Sequence, residues 1–506
     1  MSITTIPASP KTDPSETQSG PPCVKRTNPT WQTLICPSCG LFLVALVTGC
    51  AHFESQPMSP ARTATNFNAR TLDDPVLRQF LEQNLGYSLE TWPLESWDFP
   101  KLTLAALYFH PSLDAARAQW RIAEAGVSTA GGRPKSRAHD AHDAHIMRPN
   151  LTLKPEYSSS VAPGISPWGP EIGADVPMEA VGKRGQRIAK AEYLAHAARL
   201  RVATRAWQVR ATLRTNLLAY VAAQRSEALL RDLAAIQMEL IRVGEQQPAA
   251  DAVSYVELAL LRIHLAKTRL ALIMALREKM DFRKRVADSL GLPVRALLQV
   301  EVRYDFSRTA GLGLAARDLR RQALRSRSGI LSALADYAAA ETALRFEIAK
   351  RYPNIQFHPG CGWDQDKNRW AVNLNLEWPA VNRSRGPIAK AEARRIGAAA
   401  HLLSLQTEVI DEVDRSAAAY RATLDAAADI DTLVAAIRWQ HDAVAARFKA
   451  RAAGRLELLL TRLQLVAADL TQLDAQVKLQ DALGSLEDAV QRPAELMDSL
   501  LSDRAR

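Results

Sequence analysis

Between Asn354 and Glu392 the hydrophobic period of the chain changes. Ile355, Phe357, Cys361 and Trp363 alternate with Gln356, His358, Gly360 and Asp364. A polar stretch runs from Gln365 to Arg369, and then Val372, Leu374, Leu376 and Trp378 alternate with Asn373, Asn375 and Glu377. A period of two sends each set to its own face of a strand, so two strands are predicted. Pro379 to Pro387 follows, and a long helical period opens at Ile388-Ala389-Lys390-Ala391-Glu392. The same pentapeptide stands earlier, at Ile188-Ala189-Lys190-Ala191-Glu192. Before it, Ile172, Ala174, Val176 and Met178 alternate with Gly173, Asp175 and Glu179, and before that Leu151, Leu153 and Tyr157 alternate with Thr152, Lys154, Glu156 and Ser158. The chain therefore reads as two copies of a unit: strand, turn, strand, long helix.

Helical spacing fills most of the rest. Leu104, Leu107, Leu113, Ala116, Trp120, Ala123 and Val127 predict a helix over 102–130, broken or restarted at His110-Pro111. A helix from Arg187 to Val243 is on the order of 85 Å long. Gly244 to Pro248 reads as its turn, and a return helix runs from Asp251 to Leu290. In the second copy, 314–350 is helical, the long helix runs from Ile388 to Lys449, Gly454 reads as the turn, and Leu456, Leu459, Leu463, Val466, Leu470, Leu473 and Val477 mark the return. Near-heptad stripes with many alanines suit antiparallel coiled-coil pairs, and they are read as packing rather than as a cofactor site. Pro155, Pro177 and Pro359 lie within predicted strands, where proline is tolerated only at edges or bulges.

The strand patterning decides the architecture. One face carries Ile, Leu, Phe, Trp and Val; the other carries Asn, Gln, Lys, Glu and Asp. That is the lipid-out, water-in pattern of a membrane barrel. Four strands cannot close a barrel, and a bilayer admits no open sheet edge. Either the strands lie on a soluble body or several chains pool their hairpins. Trp363, Trp370 and Trp378 in one hairpin favour the membrane, where Trp marks the interface.

Composition adds exclusions. The net charge is +10, but Lys and Arg are interspersed with Asp and Glu as on solvated helix faces. No basic surface interleaved with stacking aromatics suggests nucleic acid. No nucleophile-elbow, phosphate-loop or metalloprotease spacing is present, so no enzyme, cofactor or metal centre is expected. Ala138 to His145 brings His139, His142 and His145 together with Asp140 and Asp143; this is either a metal-binding run or a low-complexity insertion.

The start of the chain carries an export pattern. Residues 1–30 are rich in Pro, Ser and Thr, lack hydrophobic periodicity and read as disordered or untranslated; the n-region is too long for a signal, which suggests a true start near Val24. Lys25 and Arg26 precede the short apolar run Leu41 to Val47, which is too short to span a bilayer. The run ends in Val47-Thr48-Gly49-Cys50, similar to the lipobox of bacterial lipoproteins, which implies acylation at Cys50; the alternative is an ordinary signal peptide with an incidental cysteine. Ala51 rather than Asp implies sorting to the outer membrane. Cys36-Pro37-Ser38-Cys39 lies within this segment and has no second pair. The expected organisation is a signal region 1–49, a tether and N-terminal segment 50–100, a first repeat 101–300 and a second repeat 301–506.

Together these features resemble the TolC-like outer-membrane efflux channels. The resemblance is carried by Ala106-Leu107-Tyr108-Phe109-His110-Pro111-Ser112-Leu113, by the Pro-Asn strand starts, by Lys183/Arg184 and Arg383/Arg385 before each pentapeptide, and by Gly454. It implies a mainly α fold with a small β part: duplicated strand hairpins and long antiparallel helices, assembled as a trimeric α/β-barrel channel. It further implies an outer-membrane location reaching into the periplasm, a periplasmic adaptor and an inner-membrane pump. The gate or docking end then holds Gly244, Asp251, Arg451, Gly454, Arg455 and Glu457. Family members narrow this end with acidic rings. Here Glu457 stands among Arg447, Lys449, Arg451, Arg455 and Arg462, with Asp251 and Glu257 in the first repeat. The rival reading is a soluble coiled-coil periplasmic adaptor or a structural envelope lipoprotein.

Overall fold

The computed structural model describes residues 55, 57–131, 150–158, 167–179, 182–246, 255–306, 316–364, 367–377 and 385–491. Cys50, the run 139–145, Asp251, Trp378 and Arg383 lie outside them. Contacts group residues 63–506 into one unit and 1–62 into another. Helix α1 (Pro60–Asn68) begins at the end of the first unit, and every later element belongs to the second.

The alternation forms the predicted sheet. Strands β2 (Asn150–Lys154), β3 (Glu171–Met178), β5 (Asn354–Asp364) and β6 (Lys367–Glu377) make one antiparallel sheet in the order β2-β3-β5-β6. The two repeats thus join through β3 and β5. Register keeps like with like: Leu153 faces Ile172, Ile172 faces Cys361 and Cys361 faces Trp370, an apolar row across all four strands. A shift by one residue would invert this face. Both prolines within these strands are accommodated: Pro177 stands opposite Gln356 near the end of β3, and the β3–β5 register skips Pro359, which has no N–H to give.

Helices carry the rest. Helix α2 (Pro75–Leu85) is capped by Asp74, whose side chain accepts from the Val76 N–H at 2.9 Å. Helix α3 (Phe99–Phe109) is capped by Asp98, whose carboxylate accepts from the Lys101 N–H at 3.0 Å. It stops at His110, and α4 (Pro111–Gly131) restarts with proline in its first turn, as predicted. Helix α5 (Lys183–Glu245) has 63 residues and α9 (Arg385–Lys449) has 65; their return helices α6 (Tyr255–Leu290) and α10 (Arg455–Val490) have 36 each. The long helices are therefore about 95 Å from end to end. The predicted helix over 314–350 is two, α7 (Ala316–Ser326) and α8 (Ser328–Ala349). The chain is extended at Arg327, whose guanidinium donates to the Ala489 carbonyl at 3.1 Å and pairs with Glu412 at 2.6 Å. Where α8 begins, the Ser328 N–H donates to Gln491 Oε1 at 3.2 Å, a partner distant in sequence and invisible to local spacing.

The core is concentrated at mid-length of α5, where α4 and α6 meet end to end along it. There α2, α3, the middle of α5 and the end of α6 bury Leu77, Leu81, Leu102, Leu213, Leu217 and Leu290. Ahead of α3 lies the short strand β1 (Ser96–Trp97), which pairs in parallel with β4 (Glu301–Val302). A second cluster joins α7, α8, α9 and the end of α10. Farther out, a smaller cluster joins α5 and α10 through buried Ile236, Leu240, Leu459 and Val466, with partly buried leucines of both helices packed against them.

Candidate functional site

The sheet presents an apolar surface that the described residues leave uncovered. Leu151 is 73 % exposed, Leu374 70 % and Trp370 81 %. Large apolar surface left open marks an interaction site. The opposite face is polar: Thr152, Asp175, His358, Asn373 and Asn375 lie there, and His358 Nε2 is 2.8 Å from Asp175 Oδ1. Of the clustered tryptophans, Trp363 and Trp370 belong to this hairpin and both are exposed.

The junction between sheet and helices is tied by the basic residues singled out in the sequence. Gly182 is left-handed, with φ +85°, and α5 begins at the next residue rather than at Arg187. The Lys183 ammonium is buried and donates to the Tyr352 carbonyl at 2.6 Å and to Asn354 Oδ1 at 2.7 Å. It joins the first long helix to the start of β5. Arg184 and Arg187 donate to the last carbonyls of α4, Gly131 at 2.8 Å and Ala130 at 2.8 Å, which would otherwise lack partners.

At the distal hairpins, residues 247–248 of the expected turn Gly244 to Pro248 lie outside the described residues. Gly244 is the penultimate residue of α5 and is buried, so the helix runs through it. Gly454 has an extended backbone, φ −83° and ψ 160°, and precedes α10 as its cap. The left-handed residue is Arg451, with φ +58°. Its conformation is held by two backbone bonds, Arg451 N–H to the Phe448 carbonyl at 3.0 Å and Ala452 N–H to the Arg447 carbonyl at 2.8 Å. Gly454 thus stands in the turn between the two helices, while the left-handed position is taken by Arg451, where these bonds help offset its cost.

Charges close the hairpins. Arg447 pairs with Glu457 at 2.9 Å within the second, and Arg262 pairs with Glu245 at 2.6 Å within the first. Arg455 pairs with Glu239, which also binds Arg242, so the two repeats are bridged near their distal ends. Of the six predicted residues, Arg451, Gly454, Arg455 and Glu457 share one turn region, while Gly244 ends the neighbouring helix. Sequence reasoning missed Glu239; its spacing to Arg242 was visible, but its partner across the repeats was not. The hydrogen bond from Arg242, then its charge and that of Arg455, hold the Glu239 carboxyl below the ordinary 4.5. A depressed carboxyl contributes stability that is present above the unfolded value and lost as pH falls through the folded one. The bridge is therefore expected to persist at neutral and mildly acid pH and to fail only below 4.5. Site-resolved titration of the Glu239 carboxyl by NMR checks this; a midpoint above 4.5 contradicts it.

Near the middle of α5 lies a buried charge cluster. Arg210 pairs with Glu487 at 3.2 Å and stacks on Phe99 and Trp207, while Arg214 pairs with Asp488 at 2.9 Å. Burial pushes the Asp488 carboxyl up, against the pull of both arginines. Among the described residues no group of His, Cys, Asp and Glu is arranged to hold a metal, and no helix is long and apolar enough to cross a membrane.

No family model matches the chain, and no curated protein resembles it in sequence. Solved structures do resemble it. The outer-membrane channel OprN superposes with a TM-score of 0.61 at 16 % identity, over 87 % of this chain and 98 % of that one. VceC, an outer-membrane protein of Vibrio cholerae, gives 0.59 at 15 %, over 78 % and 95 %. The open state of the Neisseria gonorrhoeae MtrE outer-membrane channel gives 0.59 at 15 %, over 78 % and 88 %. The chain has the mainly helical fold with a small sheet that these channels share.

Proposed function

We propose that this chain is the outer-membrane channel of a tripartite export system, an exit duct for substrates driven by an inner-membrane pump and joined to it by a periplasmic adaptor. The observation that carries the reading is the exposed apolar face of β2-β3-β5-β6, backed by a polar face, in the fold of outer-membrane channels. A soluble adaptor or structural rod has no use for such a face. In a bilayer the free sides of β2 and β6 must be paired, so symmetric copies close the barrel and the assembly is a homotrimer. Apolar side chains left open on α6 and α9, among them Leu270, Ile273, Leu403 and Trp439, supply further surface for the neighbouring copies. Acylation at Cys50 anchors the chain in this reading. The expected result is a trimer in detergent by mass photometry and a mature chain that begins with acylated Cys50 by mass spectrometry. A monodisperse monomer with full strand content overturns the channel.

The distal hairpins, about 95 Å from the sheet, form the periplasmic mouth in this reading, with Asp251, Arg451, Arg455 and Glu457 at the docking or latching end. Arg455→Glu faces Glu239 with a second carboxylate and is expected to raise closed-state conductance in planar bilayers while trimers persist. Glu239→Lys combined with it is expected to restore the closed state. Wild-type conductance in Arg455→Glu, Arg451→Glu and Glu457→Lys alike would move the function away from this end.

A further inference from the structure

The buried cluster on α5 contributes nothing to the sheet and lies far from the mouth, yet its geometry is more specific than packing requires. Asp481, Gly484 and Asp488 are spaced by three and four residues, so they share one face of α10. Gly484 leaves a notch between the two carboxylates. Arg214 of α5 fills it: a Cβ at Gly484 would overlap Nη1, Cζ and Nε of the guanidinium. The side chain is only 4 % exposed, with Nη2 2.9 Å from Asp488 Oδ2 and Nη1 3.9 Å from Asp481 Oδ1. Nε and Nη1 have no hydrogen bond, so the notch is matched to the position of the guanidinium and not to its full bonding capacity.

We infer that Arg214, seated in the Asp481-Gly484-Asp488 notch, is a positioning residue that fixes the register of α10 on α5 and thereby decides whether Glu239 and Arg455 meet. The two helices run antiparallel and unbroken from the notch to the distal ends. Around the ion pair they share an apolar cluster built on Ile236, Leu240, Leu459 and Val466, with Leu229, Leu233, Leu456 and Leu463 packed against it. Apolar contacts of this kind tolerate sliding, since they are not directional. The notch does not. A slip of one residue moves α10 by about 1.5 Å and turns it by about 100°, which carries the glycine away and drives a side chain into the guanidinium. The register set at the notch is inherited along both helices. This deepens the reading of the hairpins as the mouth, and it rests on that reading only for its consequence in conductance.

The test places cysteines at Glu239 and Arg455, joins them with a short bis-maleimide and quantifies the linked peptide by mass spectrometry. Arg214→Met and Gly484→Ala are each expected to lower linkage by about five- to thirtyfold, the population shift that loss of one such interaction produces. Gly484→Ala is expected to add little in an Arg214→Ala background, since the clash is then gone. Arg214→Lys keeps the charge without the flat fork, and it is expected to assemble and still lose linkage. Unchanged linkage in Arg214→Lys or Gly484→Ala overturns the inference, whether or not the protein conducts. Lost linkage in protein that forms no channel supports the register pin while refuting the export reading.

Discussion

Leu374→Arg is expected to abolish membrane-inserted, heat-resistant trimers, while Asn373→Arg leaves them intact. The two positions are adjacent, but Leu374 lies opposite Phe357 on the apolar face and Asn373 opposite His358 on the polar one. An arginine on the lipid face of a barrel costs about 2–4 kcal/mol near the midplane, and a trimer carries the substitution in every copy. In the proposed barrel the neighbouring position would face water and carry no such cost. The rival reading makes the opposite forecast: on a soluble rod Leu374 is an exposed residue, and its replacement alters stability by under about 0.5 kcal/mol. Outer-membrane extraction followed by heated and unheated electrophoresis separates the two. Retention of resistant trimers by Leu374→Arg would refute the membrane assignment of this face.

Gly291→Ala is expected to loosen the core at mid-length of α5 by about 2–5 kcal/mol, read as a fall in the midpoint of thermal or denaturant unfolding. Two costs combine. Gly291 has φ +71°, where an alanine pays the left-handed penalty of about 1–2 kcal/mol. A Cβ there would also stand 2.9 Å from the Phe109 carbonyl oxygen and 3.1 Å from His110 Cα, all backbone that can yield only by displacing α3 from α6. Arg70 spans the same joint, donating to the carbonyls of Phe109 and Gly291 at 3.0 Å each. Gly182→Ala is the control: its φ is +85° but nothing lies within 4 Å of the added carbon, so only the first cost applies. Equal losses from the two substitutions would show that the close approach at Gly291 carries no weight.

Local periodicity made much of this fold legible. The alternation from Ile355 to Leu376 becomes the register Ile355–Leu376 and Phe357–Leu374, and the repeated pentapeptide opens two helices of nearly equal length. What stayed hidden depends on partners distant in sequence. The β3–β5 seam, the bond from Ser328 N–H to Gln491 at the start of α8 and the β1–β4 pair have no local signature. At the candidate mouth the charged residues were readable, and Arg451, Arg455 and Glu457 do stand together. The pairing of Arg455 with Glu239 was not readable, because charge at a helix surface carries no information about what faces it. The two glycines differ: Gly454 stands in the second turn with an extended backbone, whereas Gly244 lies within α5, because glycine permits a turn without requiring one.

The β3–β5 seam also sets an order in time. Ile172 and Cys361 are neighbours across it, yet helices α5 to α8 are threaded between them in the chain. Contacts within each helical hairpin are short in sequence and close on the scale of microseconds, whereas a pairing across four intervening helices waits on a slow search. Once α5 with α6 and α8 have packed, Lys183 holds the start of β5 beside the first long helix, so the search is shortened by structure already formed. The sheet is then the last part of each subunit to mature. If the chain is the outer-membrane channel proposed above, it would reach the bilayer as a folded helical body with unpaired strands, and insertion would complete its folding.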